Sequence, residues 1–218
     1  PDPLPRLCLG LPEHPNRLAS FRREGLPGFH MIEGLRRQPG WIGAASSYRQ
    51  IARALLDSGR NAAIICQDDA GPGPDFERRF AASVAYWQHS GADLFSGLIT
   101  DVDDSFKIIR VVRQGGMTFV HLDRSIGLVC NMFGPRALEW LSAWDEQGRT
   151  VAQGTIDRHL GAAPGLDVVT CLPFLVRHRD GLVSSVWGFR NGRYNTLIEY
   201  SEKRLARMVA EFERKKPG

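Results

Sequence analysis

Two adjacent carboxylates, Asp68 and Asp69, end the apolar run Asn61-Ala62-Ala63-Ile64-Ile65-Cys66-Gln67 and are followed by Ala70-Gly71. Such a run predicts a buried parallel strand, and ligands of open α/β sheets bind in the crevice beyond the carboxyl ends of the strands. Hard divalent cations that carry diphosphates are held by oxygen ligands, commonly one or two carboxylates, so a metal-assisted diphosphate site is one reading of this pair. A second reading has Asp68 and Asp69 open a turn, with Asp69 or Asp75 capping a helix that begins near Phe76. The pair alone does not separate the two. Gly71-Pro72-Gly73-Pro74 then keeps the backbone irregular before Phe76, Phe80, Val84 and Trp87 resume helical spacing, which predicts a long, stiff loop where a substrate could lie.

The elements that must position these residues follow from composition and period. The chain has 218 residues, 43% hydrophobic and 24% charged, enough for one substantial core in a soluble globular domain over 1–200, with a basic amphipathic helix and tail over 201–218. No apolar run approaches the roughly 20 residues of a membrane helix. The opening Pro1-Asp2-Pro3-Leu4-Pro5 has neither a methionine nor the layout of a signal peptide, as expected of a segment cut from a longer chain. Cys8, Cys66, Cys130 and Cys171 are widely spaced in apolar surroundings, which suits buried reduced thiols and a cytoplasmic location. A net charge of +4 with a pI near 9.1 fits anionic substrates, a lipid surface or nucleic acid. The arginines form neither a basic stripe nor an RNA-binding motif, so nucleic acid ranks last.

Arg6 to Leu11 predicts a first strand. Pro15 opens a helix with Leu18 and Phe21 on one face and Arg17, Arg22 and Arg23 solvated. After Leu26 to Gly43, the spacing of Tyr48, Ile51, Ala52 and Leu55 predicts a second helix, ended by Asp57-Ser58-Gly59. Leu94 to Ile99, Ile108 to Val112, Thr118 to Leu122 and Gly127 to Met132 read as strands, with Gln114-Gly115-Gly116 as a hairpin turn, so the second half is expected to be mixed or antiparallel. Pro135 starts a helix bearing Leu138 and Leu141, and Thr155 caps a short one with Ile156, Asp157 and Leu160. Val168 to Val176 is the last strand. From Ser201 to Lys216, Leu205, Met208, Val209 and Phe212 share one face of a basic helix, which either docks on the core or, as the lesser alternative, makes peripheral contact with the inner face of an anionic membrane.

Several of these segments, in this order, resemble glycosyltransferase family 25, the lipooligosaccharide and collagen galactosyltransferase group. They are Arg6-Leu7-Cys8-Leu9-Gly10-Leu11 with Arg17, Ile42-Gly43-Ala44-Ala45-Ser46-Ser47-Tyr48, and Ile64-Ile65-Cys66-Gln67-Asp68-Asp69-Ala70. Gly127 to Leu138 with Gly134-Pro135-Arg136, Thr155-Ile156-Asp157-Arg158-His159-Leu160, and Leu172-Pro173-Phe174-Leu175-Val176 with Ser184-Ser185 extend the likeness over roughly residues 6 to 187. Two positions depart from it: Gln67 stands where the family has Glu, and Tyr48 where it has His.

The resemblance implies a nucleotide-diphosphosugar transferase (GT-A-like) fold, an α/β/α sandwich around a mostly parallel mixed sheet. It also implies inverting transfer from a UDP-sugar to a glycan or lipid-linked glycan acceptor, assisted by Mn²⁺ or Mg²⁺. On that likeness Asp69 and Asp68 are the metal and ribose contacts, Gln67, Ser47 and Tyr48 line the nucleotide site, and Asp157 is the general base. The other reading of Asp157 is a first-turn carboxylate on a helix dipole. His178, after the last strand, is a candidate third metal ligand or an exposed histidine between Arg177 and Arg179. Asp101-Val102-Asp103-Asp104 forms a competing Asp-x-Asp pattern or a solvated loop, Arg110, Arg113 and Arg124 are candidate phosphate contacts, and Trp187 to Tyr194 is a substrate lid or a strap on the core. The rival to an enzyme is a degenerate nucleotide- or glycan-binding module of the same fold, marked by Gln67 and Tyr48.

Overall fold

The computed structural model describes residues 4–147 and 149–215, so Pro1 to Pro3, Gly148 and Lys216 to Gly218 lie outside the described residues. The first half runs β1 (Arg6–Gly10), α1 (Pro15–Glu24), β2 (His30–Glu33), α2 (Gly40–Asp57), β3 (Ala63–Gln67), β4 (Ala70–Pro72) and α3 (Phe76–Ser90). The second runs β5 (Leu94–Ser96), β6 (Ile108–Gln114), β7 (Met117–Leu122), β8 (Cys130–Phe133), α4 (Pro135–Ser142), α5 (Val151–Gly154), α6 (Ile156–Gly161), β9 (Val168–Leu172), β10 (Val176–His178) and α7 (Gly192–Arg214). Proline in the first turn starts α1 and α4, where its missing N–H costs nothing.

Eight strands form one sheet in the order β2-β1-β3-β8-β5-β9-β7-β6. β1 pairs in parallel with β2 and β3, and β5 with β9, while β8 and β7 are antiparallel to both their neighbours. The fold is thus mixed α/β, with β8 and β7 opposing six strands that share one direction. Register places Ile64, Met132, Phe95, Val169 and His121 in one row across the sheet, with Phe119 two residues along β7 on the same face. α3 covers that face, with Tyr86 stacked on Phe119 at 3.8 Å. Phe133, one residue past Met132 and therefore on the opposite face, meets Tyr48 of α2 at 6.2 Å, and α4 and α6 pack beside α2.

Several expected strands are shorter. β5 stops at Ser96 because the Gly97 N–H turns to Cys130 O and its carbonyl accepts from Leu175 N, both at 2.8 Å. The strand read over Val168 to Val176 breaks at Pro173, which has no N–H to give the ladder. Beyond it β10 pairs antiparallel with β4 in a separate two-stranded sheet, so part of the expected Gly71 to Pro74 loop is strand. The Gly115-Gly116 turn has φ values of 59° and 74° and closes the β6–β7 hairpin as read from sequence. The boundary expected at residue 200 falls inside α7, whose Leu205 and Val209 are buried in the core, so its apolar face docks on the protein. No helix among the described residues is long and apolar enough to cross a membrane, and the four cysteines are buried and free.

Tyr48 corrects the sequence reading. It is fully buried on α2 and does not line the cleft, and its hydroxyl donates to Leu128 O at 2.8 Å. Tyr48→Phe is expected to cost about 1–3 kcal/mol, since it leaves a buried carbonyl without its donor, and to leave ligand affinity unchanged. Chemical denaturation beside a binding titration checks both halves.

Candidate functional site

β1 and β3 end side by side, and the chain continues from β3 with Asp68 N donating to Leu9 O at 3.0 Å. Asp68 therefore emerges at the end of the sheet, close under α1. A Cβ on Gly10 would stand 3.2 Å from the Asp68 Cβ and 2.5 Å from Leu18 Cδ2, which explains a glycine there. Arg17, in the first turn of α1, points down at the pair. Its Nε donates to Asp68 Oδ2 at 3.0 Å, Nη2 bonds Asp68 Oδ1 and stands 3.5 Å from Asp69 Oδ2, and Nη1 donates to Val183 O. The sequence reading made Arg17 a solvated residue; the structure makes it the partner of both carboxylates.

The small β4–β10 sheet brings the next groups. Its register sets His178 opposite Ala70, so His178 Nδ1 comes within 3.2 Å of Asp69 Oδ2, an ion-pair distance without hydrogen-bond alignment. His178 is buried, not exposed, and stacks on Tyr194 at 4.9 Å. Asn191 Nδ2 donates to Asp69 Oδ2 at 3.1 Å. Arg179 donates from Nη2 to Asp68 O at 2.5 Å and from Nη1 to Ser20 Oγ at 2.6 Å. Burial opposes charge on Asp69, but His178, Arg17 and Asn191 outweigh it and hold its pKa down at about 2. On Asp68 burial prevails over the pull of Arg17 and raises the pKa.

These groups open onto a cleft of about 620 Å³ that also receives Gln67, Ser47 and Asp157. Six residues singled out in sequence thus converge from β3, α2, α6 and β10: Gln67, Asp68, Asp69, Ser47, Asp157 and His178. The Ser47 hydroxyl is already engaged, donating to Gly43 O and accepting from Leu35 N, both at 2.7 Å, which fixes the loop before α2. Asp157 is held through Oδ2 by the Gly127 N–H at 3.2 Å. Of the competing acidic pattern only Asp101 reaches the cleft; Asp103 caps Ser105 and Asp104 pairs with Arg204 at the surface. Arg110, Arg113 and Arg124 lie elsewhere, on Ser90 O, Glu213 and Asp123. Trp187 and Tyr194 line the rim, with Trp187 43% exposed, while Gly192 to Tyr194 already belong to α7. A larger apolar groove of about 950 Å³ between α2 and α3 shares only Ser47 with the candidate residues, and the chemistry is absent from it.

A metal does not fit this arrangement. Both Asp68 oxygens are taken by Arg17 and Asp69 Oδ2 by Asn191, which leaves Asp69 Oδ1 as the single unpartnered oxygen of the pair. Among the described residues no group of three or more His, Cys, Asp or Glu side chains is placed to hold a metal ion.

Since the Asp69 pKa lies below its ordinary 3.8, its charge stabilises the fold fully above that value, and the contribution is lost as pH falls toward about 2. Asp69→Asn should therefore remove about 2 kcal/mol of pH-dependent stability in that window. Acid-denaturation curves of the two proteins, compared between pH 4 and 2, check it.

No family model matches the chain, and no curated protein matches it. Fourteen chains of solved structures match. Among them is A197 from STIV, at 11% identity and a TM-score of 0.42 over 83% of this chain and 97% of that one, a likeness too distant to bear on function.

Proposed function

We propose that the protein is an inverting glycosyltransferase of GT-A-like fold that moves a sugar from a UDP-sugar to a hydroxyl of a glycan, such as lipooligosaccharide or another surface polysaccharide. The observation that carries this reading is the meeting of Gln67, Asp68, Asp69, Ser47, Asp157 and His178, from four separate elements, in one cleft at the carboxyl ends of β1 and β3. The sheet order, with parallel β2-β1-β3 and antiparallel β8 between β3 and β5, is compatible with the fold that the resemblance to family 25 implies.

In this reading Gln67 meets the nucleoside, since an amide can both donate to and accept from a base or ribose. Asp157 takes the proton of the acceptor hydroxyl while that oxygen bonds to the anomeric carbon. The bond from that carbon to the phosphate oxygen breaks, and UDP leaves with the bonding pair. Holding Asp157 by one oxygen on the Gly127 N–H leaves the other for the acceptor. Trp187, on the rim, offers an aromatic face to a sugar ring. Galactose, the commonest theme of the family, is the first donor to test.

The engagement of Asp68 by Arg17 favours a second reading, a binding module of the same fold without turnover. Transfer or hydrolysis of UDP-galactose and UDP-glucose, set against their affinity, separates the two. For an enzyme, Asp157→Asn is expected to lower turnover by about 100-fold or more while donor affinity stays within about twofold. Binding without turnover in the native chain would select the module, and absence of UDP-sugar binding would discard the enzyme and leave a module that binds glycan alone.

A further inference from the structure

The guanidinium of Arg17 stands where a carboxylate pair of this kind would present its lone pairs to a cation. It bonds both oxygens of Asp68, reaches to 3.5 Å from Asp69 Oδ2 and anchors itself on Val183 O. Asn191 uses Asp69 Oδ2 as well, so one oxygen of four is left, Asp69 Oδ1, and it is buried. Charge is balanced without a metal: Asp68 and Asp69 bring two negative charges, and Arg17 and Arg179 bring two positive ones, the charge that a divalent cation would add. Arg179 sits behind the pair on Asp68 O, its guanidinium 5.8 Å over the Phe21 ring.

We infer that Arg17, backed by Arg179, holds the place of a divalent cation at the end of β3, so that the cleft takes up a nucleoside diphosphate without metal. The identity of that ligand rests on the glycosyltransferase reading; the state of the carboxylate pair does not. The phosphates then meet arginines of the cleft wall. Arg36 and Arg37 line it with only exposed partners, Glu13 and Glu146, each at 2.7 Å. Exposed pairs of this kind contribute little and exchange readily for a phosphate.

The first test titrates Mn²⁺ alone into the protein and follows the electron paramagnetic resonance of the free ion. The native chain is expected to show no saturable site up to about millimolar Mn²⁺. Arg17→Ala is expected to uncover the carboxylates and gain a site, which a further Asp69→Asn change removes. A saturable site in the native chain that Asp69→Asn abolishes would overturn the inference, as would a folded Arg17→Ala protein that binds no Mn²⁺.

Arg17→Ala strips Asp68 of its partner and endangers folding, so native UDP affinity in EDTA and in Mn²⁺ is the second readout. The two values are expected to agree within about twofold, and strengthening by Mn²⁺ of about tenfold or more counts against the inference. Should UDP bind in neither condition, the glycosyltransferase reading falls, and the native Mn²⁺ titration still decides whether the pair is filled by arginine or open to metal.

Discussion

Two carboxylates buried next to each other at the end of β3 are tolerable only because guanidinium groups meet them. An isolated ionised carboxylate in such a place carries a desolvation cost of several kcal/mol, and two together repel. Arg17 bonds the pair, Arg179, 162 residues away in sequence, adds its charge from Asp68 O, and His178 and Asn191 act on Asp69. Each of these residues fixes an element. Arg17 ties α1 to the mouth of β3, Arg179 extends β10 along β4, and Asn191 seats the start of α7. The elements around the cleft are thus tied to one another by a charge cluster as well as packed on the apolar core.

That dependence explains what the sequence made legible and what it hid. Periodicity exposed β3, the Gly115-Gly116 hairpin and the Pro135 helix, because each is set by local rules of burial, turn geometry and first-turn chemistry. Gln67 and Asp157 rest on the resemblance to family 25, while Asp68, Asp69 and His178 could be picked out by residue type at strand ends. Arg17 could not. Its place beside Leu18 and Phe21 puts it on the polar face of α1, and a helical wheel does not distinguish a face turned to water from one turned to a strand end bearing carboxylates. The same blindness placed Tyr48 in the cleft, although Ser47 beside it does line the cavity. Adjacent helix residues point about 100° apart, and α2 turns only the first of the two toward the cleft.

Buried polar atoms without partners occur both along the cleft and elsewhere among the described residues. Deep in the sheet, Ser125 and Asn131 each donate to Ser96 Oγ at 3.1 Å, and Thr170 donates to Ser96 O at 2.8 Å. Around the cleft, Trp41 Nε1, Asp69 Oδ1, Thr155 Oγ1 and His178 Nδ1 are buried and lack hydrogen-bond partners, as do Ser83 Oγ and Trp87 Nε1 on α3 and Asn131 Oδ1 in the sheet. Each such atom costs about 1–3 kcal/mol, and apolar substitutes of similar shape would fold better. Stability therefore does not account for the cluster. Polar groups left unmet along one cavity wall, next to carboxylates neutralised in advance, are what a preorganised site for a polar ligand requires: its donors and acceptors already stand desolvated, and ligand atoms complete them without moving the frame.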